Sequence, residues 1–239
     1  MSAPVAVVMV GGRGERLRPL TDTVPKPLLP VGGEPIVTRI LKRLATAGVE
    51  DVWLTVNYLP DAFEAAIGDG SQLGLRVRYL HEQQPLGTAG SLALLPSAEV
   101  GGPVVVTNGD LVTGLDFAAL LAFHTERGAA LTVCGVQYET KVQYGVLRNE
   151  GSRLLGIDEK PAISNLVNAG MYVVDPELLA LVPRGVASGM PDLIDRVLAE
   201  GRVVEIYEVL DGWIDIGSFD EYSRVTKNFA PPTAEESTS

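Results

Sequence analysis

Short apolar runs alternate along the chain with segments whose apolar residues recur every three or four positions. Residues 5–10 are continuously apolar and uncharged, which is typical of a strand buried on both faces of a parallel sheet. Over residues 35–47, Ile36, Ile40 and Leu44 recur at i+4, which predicts an amphipathic helix. The pattern predicts further strands at 52–56, 75–80, 103–107, 129–137 and 203–209, and helices at 61–67, 116–127, 175–181, 191–199 and 218–228. Such alternation predicts an α/β fold with a Rossmann-like, mostly parallel mixed sheet flanked by helices.

The segment after the first strand, residues 11–30, is rich in glycine and positive charge. Gly11, Gly12 and Gly14 have no Cβ, so the backbone there allows close approach of a ligand. A loop that leaves the carboxyl end of a parallel strand is where α/β proteins bind phosphates. The segment is basic although the whole chain has a net charge of −11. This concentration of positive charge predicts an anionic ligand.

Two common phosphate-binding motifs do not fit this segment. A dinucleotide fingerprint requires a third glycine where the chain has Leu17, and a Walker A loop requires Gly-Lys-Ser/Thr, which the chain lacks. Instead, Lys26 lies between Pro25 and Pro27. The two prolines restrict the backbone around the lysine, so we expect Lys26 to lose less entropy on binding a phosphate.

Length and amino-acid composition restrict the classes of protein to which the chain can belong. A chain of 239 residues with 46% hydrophobic residues is long enough for one large α/β domain. The acidic pI of about 4.7 argues against nucleic acid as a partner. Cys134 is the single cysteine, which excludes a disulfide framework within the chain and fits a reducing cytoplasm. We find no signal-peptide pattern and no apolar run long enough to cross a membrane.

Two clusters farther along the chain are candidates for ligand contacts. Gly87 and Gly90 flank the start of a predicted helix, whose free N–H groups can bind an anion or a base edge. Asp110 follows the strand at 103–107, at the edge of the sheet where α/β folds bind ligands. Magnesium prefers such carboxylate oxygens, which makes Asp110 a candidate metal ligand, whereas an aspartate at this place without the surrounding pattern is more typical of a turn or a helix N-cap.

Residues 11–31 resemble the signature of the sugar-1-phosphate nucleotidylyltransferases. Its pattern, G-G-x-G-x-R-L-x-P-L-T followed by P-K-P-L-x-P-V, matches at every position. The resemblance implies a single GT-A-like nucleotidyltransferase domain over residues 1–229, with a nucleotide half at about 1–112 and a sugar-phosphate half at about 113–229. We expect residues 230–239 to be a disordered tail. Many members carry an added β-helix or regulatory domain, which we do not expect here.

The resemblance also implies roles for individual residues. Arg16, Lys26 and Lys160 would be catalytic, with Lys160 on the phosphate of the sugar, and Asp110 and Asp215 would hold Mg²⁺. The sugar would contact Gly145, Glu159 and Asn168. The expected nucleotide-binding residues are Gly11, Gly12, Gly14, Glu82, Gln83, Gly87, Thr88 and Asn108.

By resemblance, the expected reaction joins a nucleoside triphosphate to a sugar 1-phosphate and releases pyrophosphate. The segments at 9–12 and 85–90 look most like those of guanylyltransferases acting on mannose or heptose 1-phosphate. Uridylyl- and thymidylyltransferases, a non-catalytic nucleotide-sugar sensor and an enzyme that transfers CMP to phosphocholine remain alternatives. We expect no nucleic acid and no membrane as a partner, and we keep a homo-oligomer as an open alternative.

Overall fold

The computed structural model describes residues 2–228, and strands alternate with helices along most of that length. In chain order the strands are β1 (Val5–Met9), β2 (Pro30–Val31), β3 (Glu34–Pro35), β4 (Asp51–Val56), β5 (Arg76–His81), β6 (Val104–Asn108), β7 (Leu111–Thr113), β8 (Leu131–Lys141), β9 (Val146–Glu150), β10 (Arg153–Asp158), β11 (Ala162–Val174), β12 (Val204–Glu208) and β13 (Trp213–Asp215). The α-helices are α1 (Ile36–Thr46), α2 (Pro60–Ile67), α3 (Gly87–Gly90), α4 (Phe117–Arg127), α5 (Met190–Ala199) and α6 (Phe219–Asn228). Short 3₁₀ segments occupy Glu15–Leu17, Leu20–Asp22, Lys26–Leu28, Ser71–Leu73, Ser91–Leu94, Ser97–Glu99 and Pro176–Leu181.

Seven strands form one sheet in the order β12-β8-β11-β6-β1-β4-β5. β11 runs antiparallel to both of its neighbours, β8 and β6, whereas the other neighbouring strands pair in parallel. The prediction of a mostly parallel mixed sheet is therefore confirmed. Because β1, β4 and β6 are parallel neighbours, the loops after their carboxyl ends meet at one edge of the sheet.

Apolar side chains cover both faces of this sheet. α1, α2 and α4 pack on one face, and α5 packs on the other. A third, smaller group, which we call the loop cluster, joins the segment after β1 to α6 and to the residue that follows β13; it consists of Leu17, Leu29, Val31, Ile36, Ile216 and Val225. Burying a side chain such as Leu17 contributes about 1.5–3 kcal/mol, so the loop cluster fixes α6 against this segment.

The ends of α4 show how local sequence sets a helix boundary. Asp116 precedes the helix, and its Oδ1 accepts hydrogen bonds from the N–H groups of Ala118 at 2.8 Å and Ala119 at 3.2 Å. Gly128 ends the helix in the left-handed region, with φ of 59°. The predicted helix at 116–127 therefore has its aspartate as N-cap and its first helical residue at Phe117.

The structure differs from the predicted elements in the second half of the chain. Segment 175–181 contains a 3₁₀ helix, Pro176–Leu181, rather than an α-helix. α3 has only four residues and continues as the 3₁₀ segment Ser91–Leu94. β8 extends past the predicted residue 137 to Lys141, because its pairing with β11 continues there. β9 and β10 form a separate hairpin that the apolar pattern did not predict.

The large sheet contains strands from both predicted halves of the domain. β6, β1, β4 and β5 come from the nucleotide half, and β12, β8 and β11 come from the sugar-phosphate half. The boundary near residue 112 stays a prediction, and the expected tail at 230–239 lies outside the described residues. Within residues 2–228, no helix has the length and apolar character needed to cross a membrane.

Candidate active site

The glycine loop, residues 11–17, follows β1 and forms one wall of a cavity of about 510 Å³, which we call the loop cavity. Gly14 has φ of 61°, and a Cβ at this position would lie 2.9 Å from Thr21 Cγ2 and 3.1 Å from Lys26 Cβ. Because both the φ and the space exclude a side chain, this turn requires glycine. Thr21 supports the turn by donating its hydroxyl proton to the Gly14 carbonyl at 2.8 Å. The cavity is also lined by Gly11, Gly12 and Arg16.

Lys26 connects the two carboxylates expected to bind a metal. Its side chain is only 9% exposed, and its Nζ lies 2.6 Å from Asp110 Oδ2 and 3.4 Å from Asp215 Oδ1. The pairing of β7 with β13 explains why these aspartates meet, because Asp215 lies opposite Leu111, the residue after Asp110. Residues far apart in sequence therefore converge on one positive charge.

The positions of Asp110 and Asp215 bear on whether these two aspartates can bind a divalent cation. Oxygens from Asp110 and Asp215 already approach one ammonium group, which occupies a place where positive charge is favoured. Magnesium usually takes only one or two protein carboxylates, with other positions filled by water and substrate phosphates. Among residues 2–228, no cluster of three or more ligating side chains is found. The residues present therefore fit Mg²⁺.

A second cavity, of about 300 Å³, adjoins the loop cavity, and we call it the base cavity. Glu82 lies in its wall and is partly buried, with Oε2 accepting a hydrogen bond from the Leu86 N–H at 3.0 Å. Burial raises the pKa of this carboxyl group, and the hydrogen bonds from Leu86 and Thr55 oppose that rise. The other predicted nucleotide-binding residues that line the base cavity are Gly11, Gly12, Gly87, Thr88 and Asn108.

Gly87 and Thr88 also join this cavity to α5. A Cβ on Gly87 would lie 2.7 Å from the Ser188 carbonyl oxygen, and the residue has φ of 74°. The Thr88 hydroxyl oxygen accepts a hydrogen bond from the Met190 N–H at 2.9 Å. Gln83 is exposed and is not among the residues that line the base cavity.

Asn168 lies at an irregularity in β11 close to the same crevice. Its Oδ1 accepts a hydrogen bond from the Gly170 N–H at 2.9 Å. Gly170 has φ of 74°, and a Cβ there would lie 2.5 Å from Asn108 Nδ2. Trp213 donates its indole N–H to the Ala169 carbonyl at 2.9 Å. The segment 168–170 is therefore fixed between β6 and β13, beside Asp110 and Asp215.

The remaining predicted sugar-phosphate residues lie at the far end of β11. Gly145 faces Glu159, since a Cβ on Gly145 would lie 2.9 Å from Glu159 Oε2. Lys160 is exposed and adopts φ of 47°. Six residue steps of extended β11 separate Ala162 from Asn168, which is about 20 Å along the strand. The structure thus pairs Gly145 with Glu159 but does not bring them to Asn168, and their roles stay predictions.

One cavity brings in residues that the sequence analysis did not select. It has a volume of about 700 Å³, and we call it the side cavity. It shares Arg16 and Gly217 with the loop cavity and includes Arg224 of α6. The helical spacing of Asp220 and Arg224 is a signal that places both on one face of α6. The side cavity is also lined by Gln137, Tyr138, Glu139, Val167, Trp213, Asp215, Asp220 and Glu221.

Comparison with known proteins supports a family assignment. The chain is 38% identical over 239 residues to a mannose-1-phosphate guanylyltransferase of Mycobacterium tuberculosis, covering 96% of this chain and 66% of that protein. It is 34% identical over 220 residues to a mannose-1-phosphate guanyltransferase of Emericella nidulans, covering 89% of this chain and 60% of that protein. The chain thus spans less than two thirds of the length of these relatives.

A solved structure has the same fold. HddC from Yersinia pseudotuberculosis, in a structure complexed with GMP-PN, superposes with a TM-score of 0.72 at 22% identity, over 95% of this chain and all of that one. The sequence profile described as nucleotidyl transferase matches residues 5–230, which include the glycine loop, Lys26 and both aspartates. This chain therefore belongs to the nucleotidyl transferase family.

Proposed function

We propose that this chain transfers GMP from GTP to a sugar 1-phosphate, first of all mannose 1-phosphate, and releases pyrophosphate. The observation that carries this proposal is the position of Lys26 between Asp110 and Asp215, at the wall of a cavity formed by a glycine loop. Such a site concentrates positive charge and metal-binding carboxylates where a triphosphate can lie. The names of the relatives in Mycobacterium tuberculosis and Emericella nidulans support the choice of guanosine and mannose.

The reaction brings two anions together, so the site must offset charge and hold the reactants in line. A phosphate oxygen of the sugar 1-phosphate forms a bond to the α-phosphorus of GTP. The bond from that phosphorus to the bridging oxygen breaks, and the electron pair leaves with pyrophosphate. Because the attacking oxygen is already ionised at neutral pH, no side chain has to remove a proton.

Each residue of the site has a distinct task in this scheme. The backbone of Gly11 and Gly12 borders the phosphates, and Lys26 and Arg16 offset the charge that develops on the leaving group. Asp110 and Asp215 would hold Mg²⁺, which when bound supplies positive charge against the reacting phosphates. Lys160 would hold the phosphate of the sugar, which requires the far end of β11 to approach the crevice.

Glu82 supports the choice of guanine as the base. A carboxylate only accepts hydrogen bonds, and its lone pairs are not exhausted by the bonds from Leu86 and Thr55. Guanine presents two adjacent donors, N1–H and N2–H, whereas uracil and thymine present one donor between two carbonyl oxygens. A carboxylate in the base cavity therefore attracts guanine and repels the carbonyls of uracil and thymine. The GMP-PN in the structure of HddC agrees with this choice.

The proposal also covers the cellular compartment and the oligomeric state of the protein. We place the reaction in the cytoplasm, since the single cysteine, Cys134, is buried and allows no disulfide within the chain. Resemblance to the family favours a homo-oligomer. Sedimentation of the purified chain tests the oligomer, and localisation of a tagged copy tests the compartment.

The test is pyrophosphate release with Mg²⁺ across GTP, UTP, dTTP, CTP and ATP, each with mannose, heptose and glucose 1-phosphate. We expect the highest rate with GTP and mannose 1-phosphate. Asp110→Asn should lower kcat by about 10²–10³-fold, since it removes charge without changing shape. Asp195→Asn, at an exposed position of α5, is the matched control and should leave the rate unchanged. Glu82→Gln should lower the ratio of the rate with GTP to the rate with UTP.

The outcomes separate the parts of the proposal. A higher rate with UTP or dTTP than with GTP would overturn the choice of base and leave the reaction class standing. Nucleotide-sugar binding by calorimetry without turnover of any pair would overturn the enzyme and favour a sensor. Equal loss in Asp110→Asn and Asp195→Asn would remove the support for the assigned centre.

A further inference from the structure

The side cavity continues the loop cavity on the far side of Arg16. Both cavities are lined by Arg16 and Gly217, and a Cβ on Gly217 would lie 3.3 Å from Arg16 Nη1. The Arg16 guanidinium therefore stands at the passage between the glycine loop and α6. A ligand that fills the loop cavity can extend past Arg16 into the side cavity.

Arg224 faces the same space from α6. The loop cluster fixes the backbone at both arginines, because the neighbouring residues Leu17 and Val225 are buried in it. Arg16 and Arg224 are exposed, and within residues 2–228 neither has an ion pair or a side-chain hydrogen bond to another residue. Two guanidinium groups thus have their donors available to an external anion.

Within residues 2–228, no carboxylate of the side cavity forms an ion pair with either arginine. Asp215 lies beside the Lys26 ammonium. Glu221 Oε2 accepts hydrogen bonds from the Gly217 N–H at 2.8 Å and the Ser218 hydroxyl at 3.0 Å. The remaining two, Glu139 and Asp220, are exposed to solvent. Asp215 and Glu221 thus already have other partners, and Glu221 Oε2 lies on the same side of Gly217 as Arg16 Nη1.

We propose that Arg224 acts with Arg16 to bind the β- and γ-phosphates of the nucleotide and the pyrophosphate that leaves. The inference rests on the proposed function, in which Asp110 and Asp215 would hold Mg²⁺ beside the reacting phosphates and Lys26 and Arg16 offset the charge on the leaving group. The phosphates run along the glycine loop to Arg16, which lines both cavities, and Arg224 lines the side cavity on the other side of Arg16. Guanidinium groups suit this task, because their donors match two phosphate oxygens at once.

The side cavity and the expected acceptor contact involve different residues of β11. Val167 lines the side cavity, whereas the next residue, Asn168, does not. In-line transfer requires the leaving group to depart opposite the attacking oxygen. An acceptor sugar bound at Asn168 therefore sends pyrophosphate towards Arg16 and Arg224. The bond that breaks is the one from the α-phosphorus to its bridging oxygen, which leaves with pyrophosphate.

The test compares Arg224→Ala, Arg224→Lys and the control Lys227→Ala, an exposed lysine one turn farther along α6. Initial rates are measured in the forward direction and in the reverse direction with pyrophosphate and GDP-mannose. For Arg224→Ala we expect the KM for pyrophosphate and for GTP to rise about 10-fold, since a charged hydrogen-bond partner is lost. The KM for mannose 1-phosphate and for GDP-mannose should stay unchanged. Arg224→Lys should recover part of the loss, and Lys227→Ala should match the wild type.

These measurements can contradict the role of Arg224 without contradicting the proposed reaction. If Arg224→Ala turns over at the wild-type rate and its KM for pyrophosphate is unchanged, this inference is wrong. The proposed reaction is then unaffected. A rise in the KM for mannose 1-phosphate instead would assign the side cavity to the acceptor and also overturn this inference. If the wild type turns over no pair of substrates, calorimetry compares the affinity of the wild type and of Arg224→Ala for pyrophosphate with Mg²⁺. Weaker binding by Arg224→Ala supports a pyrophosphate site in the side cavity. Equal binding contradicts it.

Discussion

Replacement of Lys26 by methionine tests whether one lysine keeps two carboxylates together. Methionine retains most of the apolar stem, so the substitution removes charge while largely preserving volume. Removing one partner of a buried ion pair commonly costs about 3–5 kcal/mol. The side chain of Asp110 is 27% exposed and that of Asp215 is 46% exposed, so solvent reduces this cost. We therefore expect a loss of about 2 kcal/mol, from which a fall in Tm of about 4–8 °C follows for a chain of this size.

The assay is thermal unfolding followed by circular dichroism, in EDTA and across a titration of Mg²⁺. Lys26→Met should gain more in Tm from Mg²⁺ than the wild type, because its two carboxylates no longer share a lysine. Adding Asp110→Asn to Lys26→Met should restore part of the Tm in EDTA by removing one negative charge. Lys42→Met, which breaks an exposed pair with Glu34, is the control and should cost less than about 1 kcal/mol.

Two results would refute this reasoning. If the Tm of Lys26→Met in EDTA equals that of the wild type, the lysine does not hold the carboxylates against their repulsion. If Mg²⁺ raises the Tm of both proteins equally, Asp110 and Asp215 do not gain cation affinity when the lysine charge is absent. Neither measurement depends on catalytic activity, so each is informative even for an inactive variant.

Three further predictions concern single positions. A Cβ at Gly170 would lie 2.5 Å from Asn108 Nδ2, whereas a Cβ at Gly151, which has a similar φ, would have nothing within 4 Å. In urea unfolding, Gly170→Ala should therefore lower the free energy of unfolding by about 2 kcal/mol more than Gly151→Ala does. Burial raises the pKa of Glu82 above its unfolded value, so the folded state prefers the protonated form and its stability falls as pH rises through that interval. Glu82→Gln should therefore unfold at a higher Tm than the wild type at pH 7, and the gap should vanish below about pH 4; a gap independent of pH would contradict this. Burial also raises the pKa of Cys134 to about 12, so a thiol reagent at pH 8 should label it only as fast as the protein opens, and complete labelling within seconds in native buffer would count against it.

Local physics explains why much of the fold could be predicted from the sequence. Apolar runs such as that of β1 and the four-residue spacing along α1 depend only on neighbouring residues, and the structure has both elements close to the predicted bounds. Asp116 acts on N–H groups two and three residues away, and Gly14 is required by its own backbone angle. For the same reason the sequence alone predicts a tight glycine turn after β1.

Antiparallel strand pairing decided what the apolar pattern left open. The hairpin of β9 and β10 and the extension of β8 depend on antiparallel partners, so the mainly exposed side chains of these segments show little apolar periodicity.

The sequence by itself determined the α/β class and the position of the glycine loop, and through resemblance it predicted Asp110 and Asp215 as metal ligands. Only the tertiary structure decided that Lys26 lies between those aspartates, because the pairing of β7 with β13 places Asp215 next to Asp110. It also decided that Arg224 shares a cavity with Arg16, since the loop cluster packs α6 against the segment after β1. The physical reason is that periodicity and backbone sterics act over a few residues, whereas charge and packing act between whichever residues the fold brings together.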